Sequence, residues 1–179
     1  MDLLESRGEI IRAEWFRAAL APFPESATRF FSSEEDEFRN PVGRTLAGCN
    51  RVLLDWLFSK AGDDTMRAAL REIARILSIQ EFPPSKVLAF IFAIKDIVKR
   101  EVESVSEPSD FSGEVALFET RTDRLALFAF DEYLECREKI YEIRTNEVKA
   151  RTFKLLERAQ RLQEAQGGSG DADAFRAEP

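Results

Sequence analysis

The chain has 179 residues, 44% hydrophobic and 33% charged, enough for one sizeable core in a helix-rich protein. A net charge of −7, with no basic patch interleaved with aromatics, speaks against nucleic acid or an anionic membrane as a partner. The count of histidine is 0, which excludes imidazole metal ligation, a His-ligated haem and any Ser–His or Cys–His nucleophile within the chain.

The pattern predicts a first helix over about Leu4–Ala21, where Ile10, Ile11, Trp15, Phe16 and Leu20 recur at helical spacing and Pro22–Pro24 stops it. A short helix over Glu25–Phe31 follows, with Phe30 and Phe31 expected inward, and then a solvated acidic connection, Ser32–Phe38. Asn40 and Pro41 open the third helix as N-cap and first helical residue, and Gly43 completes the Asn-Pro-Val-Gly motif. That helix carries a broad apolar stripe to about Lys60, where Ala61-Gly62 ends it. Asp63, Asp64 and Thr65 are expected to cap a fourth helix running to about Ile79.

Pro83 and Pro84 force a corner, with Gln80 placed to bond the open backbone groups at the end of the fourth helix. The fifth helix, about Ser85–Val105, holds the longest apolar run, Val87–Ile94, which is too short to span a bilayer. A loop follows over Ser106–Gly113, and then residues 114–166 run without glycine or proline. A weak break is expected near Glu119–Asp123, then a long helix over about 122–163. Residues 1–163 read as a single helical domain and 164–179 as a disordered acidic tail.

The long helix changes character along its length. Residues 125–143 hold 12 apolar residues in 19, and residues 144–162 hold 7 in 19. Leu127, Leu134, Tyr141, Val148, Leu155 and Leu162 lie in one seven-residue column, and Arg137, Arg144, Arg151 and Arg158 lie in the column three positions on. The stretch from Asn146 to Gly167 would reach beyond about 30 Å at the rise of a helix, with only a thin apolar strip to hold it. Such a strip either leans on its own domain, with the arginines solvated, or projects; its length favours projection and a contact with a second copy or a partner at Leu134, Arg137, Tyr141, Arg144, Val148, Arg151 and Leu155. For Arg137 the expectation is an ion pair with Asp131, Glu132 or Glu138 of a neighbouring copy.

Other chemistry finds little support. The acidic run Glu34–Glu37 reads as solvated surface, no ExxH metal motif exists, and the GGSG at 167–170 precedes no helix. No catalytic residue, metal site or cofactor is expected. Trp15, Trp56, Phe58, Phe90 and Phe128, together with Phe92 and Phe130, either fill the core or line an apolar pocket, and close packing favours filling. Cys49 and Cys136 read as reduced core residues of a cytoplasmic protein, and the charged amphipathic N-terminus does not read as a secretory signal.

Three stretches, FRNPVGRTL (38–46), RILSIQEFPPSKVLAFIFAIKDIVKREV (75–102) and RLALFAFDEYLECREKIYEIRTNEVKAR (124–151), together resemble the N-terminal sensory domain of RsbRD-type RsbT co-antagonist proteins. The resemblance covers roughly residues 3–160. It implies an all-α, globin-like helical bundle without haem, often dimeric, whose last long helix leads in stressosome proteins to a STAS domain that a kinase phosphorylates. After Gln166 this chain has 13 residues, too few for such a domain, so a stand-alone sensory form is expected. The function implied is a non-enzymatic signalling or regulatory domain working through contacts with protein partners, as a homodimer. The alternatives are an accessory or assembly subunit of a larger, redox-type complex and a sensor of a small apolar ligand.

Overall fold

A computed structural model describes residues 2–32, 40–59, 61–80, 82–104 and 112–167. The acidic connection at 33–39, most of the loop before the last helix and the tail beyond 167 lie outside the described residues. The described residues form six helices and no strand: α1 (Asp2–Leu20), α2 (Glu25–Ser32), α3 (Pro41–Leu57), α4 (Asp63–Ser78), α5 (Pro84–Glu103) and α6 (Ser112–Gly167). The protein is all-α with a long C-terminal helix, as the helical periodicity predicts. None of these helices is long and apolar enough to cross a membrane.

The chain divides into two units, Met1–Arg137 and Glu138–Pro179, with α6 contributing residues to both. In the first unit α1 packs along α5 and α3 along α4, while α1 and α2 meet α3 and each other. The interior is built from residues at spacings of three and four. Val87, Phe90, Ile91, Ile94, Val98 and Val102 of α5 face Ile11, Trp15, Leu20 and the inner stripes of α3 and α4 in one cluster. From α6 come Phe118, Leu125, Ala129 and Tyr133, all buried in that cluster. The second unit, over its described side chains, has no buried residue from 138 to 164.

Four local expectations change. The break near Glu119–Asp123 does not occur, and α6 begins at Ser112. Thr120 and Thr122 donate their hydroxyls to the carbonyls of Ala116 and Phe118, four residues back and 2.9 Å away in each case, and Phe118 is buried, so the threonines stay inside the helix. The third helix ends at Leu57 rather than Lys60. Ser59 adopts φ 63° and its amide returns to the Trp56 carbonyl, closing the helix before the glycine is reached. Asp63 does not cap α4: Gly62 occupies that position without a side-chain bond, and the Asp63 carboxylate instead accepts from Trp56 Nε1 at 2.8 Å. Phe30 is exposed and only Phe31 packs against the core, because an eight-residue helix lying on α3 buries a single face.

Candidate functional site

The Asn-Pro-Val-Gly motif works as a joint between helices. The Asn40 Oδ1 accepts from the Gly43 amide at 2.9 Å, the bond of an N-cap. Its Nδ2 donates to the carbonyls of Phe30 and Phe31, at 2.9 and 3.1 Å, and so satisfies the open end of α2. One buried carboxamide thus closes two helix ends. Pro41 occupies the first helical position, where no amide is needed. A Cβ on Gly43 would stand 2.5 Å from the Asn40 carboxamide and closer still to the Phe31 carbonyl, so only glycine allows this approach.

The proline corner forms a second joint. Pro83 precedes α5 and Pro84 is its first residue, with the Pro83 carbonyl accepting from Lys86 and Val87. The end of α4 is held by Arg137, whose guanidinium donates to the carbonyls of Ser78 and Gln80 at 3.4 Å. This was the role read for the Gln80 side chain. A guanidinium arriving from α6 performs it because its several donors suit an open helix end. Arg137 therefore makes bonds to carbonyls within its own chain. Glu132, considered as a partner across copies, is buried and receives Arg71 at 3.0 Å and Arg67 at 3.8 Å, both from α4. Tyr133 reaches the Phe82 carbonyl of the corner at 3.5 Å.

A third cluster was not foreseen. Arg121 donates to the Trp56 carbonyl at 2.5 Å and to the Ser59 hydroxyl, and its guanidinium lies 4.8 Å from the centre of the Trp56 ring. Arg124 reaches Asp63 at 3.4 Å. Phe128 lies under two guanidinium groups, Arg67 at 4.1 Å and Arg124 at 5.2 Å from its ring centre. The signal available in the sequence was the spacing Arg121, Arg124, Phe128 on one helix face. Its complement, the left-handed Ser59 turn, has no sequence mark.

The rings expected to fill the core or border a pocket are dispersed. Trp15 packs on Phe90, with centres 5.8 Å apart, and donates to the Phe90 carbonyl at 2.8 Å. Phe58 stacks on Phe118 at 5.5 Å. Phe92 and Phe130 are 50% and 48% exposed, a correction to their placement inside: each stands on the helix face turned away from the buried stripe. A cavity of about 10 Å³, room for about one water, is bordered by Leu70, Ile73, Leu77, Leu88, Phe90 and Tyr133 among others, and Phe90 is its one member from the expected set. No disulfide joins Cys49 and Cys136, which are both half-buried. Burial pushes the Cys49 thiol pKa up, and Glu72 pushes it the same way, so it is a poor nucleophile. Among the described residues no group of three or more Cys, Asp or Glu could hold a metal ion.

The residues expected at a partner contact fall in both units. Leu134 and Arg137 belong to the first, where Leu134 is exposed and Arg137 half-buried. Tyr141, Arg144, Val148, Arg151 and Leu155 belong to the second and are all exposed. With them stand Ile143, Phe153, Leu156 and Leu162, giving seven large apolar side chains between 141 and 162 that are 52% to 68% exposed. The Arg151 guanidinium bonds Glu147 at 2.5 Å along the same helix, and Thr152 donates to the Val148 carbonyl at 2.9 Å. What this arrangement can do is bury apolar surface against another protein segment; it holds no reactive pair.

The sequence pattern of the family described as RsbT co-antagonist protein rsbRD N-terminal domain matches residues 9–148. No curated protein and no solved structure matches the chain.

Proposed function

This chain belongs to the RsbT co-antagonist protein rsbRD N-terminal domain family, and we propose that it is a stressosome-type sensory and regulatory domain that works through protein–protein contact made by residues 141–164. It performs no catalysis, binds no haem and acts in the cytoplasm. The observation that carries this reading is the exposure of every described side chain from 141 to 164 in a helix that also carries seven large apolar residues. A helix of this length with no buried face is marginal in water unless another surface covers its apolar strip. Exposed apolar patches of this kind are characteristic of interaction sites. The lack of histidine supports the haem-free, non-enzymatic reading. Pairing of two copies is one form such a contact takes.

The test is quantitative affinity capture from the native host with the full chain and with a Val148→Asp, Leu155→Asp variant. Both substitutions fall on exposed positions, so both proteins are expected to melt at the same temperature. Proteins held by the natural chain and lost from the variant are the expected result. Identical capture by the two would end the assignment of contact to this helix.

A further inference from the structure

α3 is fastened at both ends. At its start the Asn40 side chain accepts from Gly43 and donates to the last carbonyls of α2. At its end Trp56 donates to Asp63, and Arg121 of α6 donates to the Trp56 carbonyl. The buried residues Gly43, Leu46, Asn50, Leu53 and Leu57 follow one another at steps of three, four, three and four. That repeat calls for an apolar residue at its centre, and an asparagine stands there, 1% exposed.

Among the described residues five polar side chains are buried, and four of them are engaged. Asn40 joins α2 to α3, Ser78 donates to the Arg75 carbonyl, Thr122 to the Phe118 carbonyl, and Glu132 accepts from Arg71. Asn50 is the fifth, and neither its Oδ1 nor its Nδ2 has a hydrogen-bond partner in the protein. A carboxamide held out of water and unbonded raises the free energy of the closed core, and it regains its bonds when water reaches it. Two residues away stands Gly48, a poor helix former. Nothing lies within 4 Å of the place its Cβ would occupy, so no packing demands a glycine. The two observations are independent, and both weaken the same turn of α3.

We propose that the middle of α3, around Gly48 and Asn50, is an opening segment. With both ends held, it parts from the core without global unfolding and brings the Asn50 carboxamide to water. α3 packs on α4, α1 and α2, so the opening changes what those helices meet. A regulatory domain needs two states of unequal affinity for its partner, and this opening supplies the second. The inference does not rest on the contact assigned to residues 141–164, and either stands if the other fails.

The experiment is residue-resolved amide hydrogen exchange on the full chain and on its Asn50→Leu and Gly48→Ala variants. In the natural chain the amides of residues 49–54 are expected to be at least about tenfold less protected than those of Ile91–Val98 in α5. Asn50→Leu should slow exchange in the middle of α3 about tenfold or more beyond any slowing in α5. Gly48→Ala should slow it about two- to fivefold, again beyond α5. Equal protection of α3 and α5 in the natural chain would overturn the proposal. So would equal slowing of both helices in the variants, since Asn50 would then lower only the stability of the whole core. Slowing by Gly48→Ala with no effect of Asn50→Leu would reduce the matter to helix propensity and overturn it as well. Should Asn50→Leu fail to fold, the natural chain and Gly48→Ala, which adds one methyl group in open space, decide it.

Discussion

Residues 113–137 and 138–164 belong to one unbroken helix, α6, and do opposite things. In the first stretch Phe118, Thr122, Leu125, Ala129 and Tyr133, at steps of four, three, four and four, are buried, and Arg121, Arg124 and Arg137 each bond a group on another element. In the second stretch no described side chain is buried, and Arg151 takes its partner from its own helix. The difference lies in what the apolar stripe and the arginines are given to meet, and it separates residues that hold the protein together from residues available to something else.

The largest expected effect puts that difference directly to the test. Leu125 is 0% exposed and Leu155 is 68% exposed. Leu125→Ala is expected to cost about 2–5 kcal/mol, from lost burial plus the cavity left behind. Leu155→Ala is expected to stay within about 0.5 kcal/mol in the isolated chain. Denaturant unfolding of the two variants measures both, and comparable losses would show that the second stretch is held as the first is.

Next in size is a pair of glycines within α3. At Gly43 a methyl group meets the Phe31 carbonyl and the Asn40 carboxamide, while at Gly48 it meets nothing within 4 Å. Gly43→Ala should destabilise by about 1–3 kcal/mol, the range for forced overpacking. Gly48→Ala should stabilise by about 0.5–1 kcal/mol, since alanine is the better helix former and space is open. Opposite signs on one helix separate packing from propensity; equal signs would mean that the joint between α2 and α3 yields.

A smaller contrast concerns the arginines. Arg137→Ala leaves the carbonyls of Ser78 and Gln80 without this donor and should cost about 1 kcal/mol. Arg151→Ala removes an exposed pair with Glu147, and about 0.2–0.5 kcal/mol is expected. Thermal melts of both variants, with the same order of effects, support the distinction between tertiary and local partners.

What the sequence made legible is what periodicity and caps encode. Asn40, Pro41 and Gly43 announced a helix start, Pro83 and Pro84 announced a corner, and the repeat of apolar residues in α3, α4 and α5 announced one helical core. The column from Tyr141 to Leu162 was visible as a repeat, and the family could be read from three stretches lying within or beside the matched residues. Pairings decided by distant geometry stayed hidden. Nothing near Asp63 says that its carboxylate serves Trp56 instead of the α4 cap, and nothing near Glu132 says that two arginines 61 and 65 residues earlier converge on it. The exposure of Phe92 was hidden for a different reason: a helix apolar nearly all round gives no hint of which ring faces out.

The smallest effect is chemical rather than energetic, and it sharpens the comparison from the other side. Burial and, after it, the Glu72 carboxylate disfavour the Cys49 thiolate, so its pKa lies above the ordinary thiol value. The sign follows: at a pH near 8.5 a smaller fraction of Cys49 is thiolate than of an exposed cysteine, and alkylation, which needs the thiolate, is slower. In a Cys136→Ser background the pH profile of iodoacetamide labelling should therefore lie to the alkaline side of the profile for the unfolded chain. Glu72→Gln should shift it part of the way back. A Val148→Cys reporter, made with both native cysteines replaced by serine, occupies an exposed position and should label along the ordinary thiol profile. Should that reporter instead be as slow as Cys49 in the isolated chain, the second stretch is covered without any partner, and the division of α6 into a holding part and an available part fails.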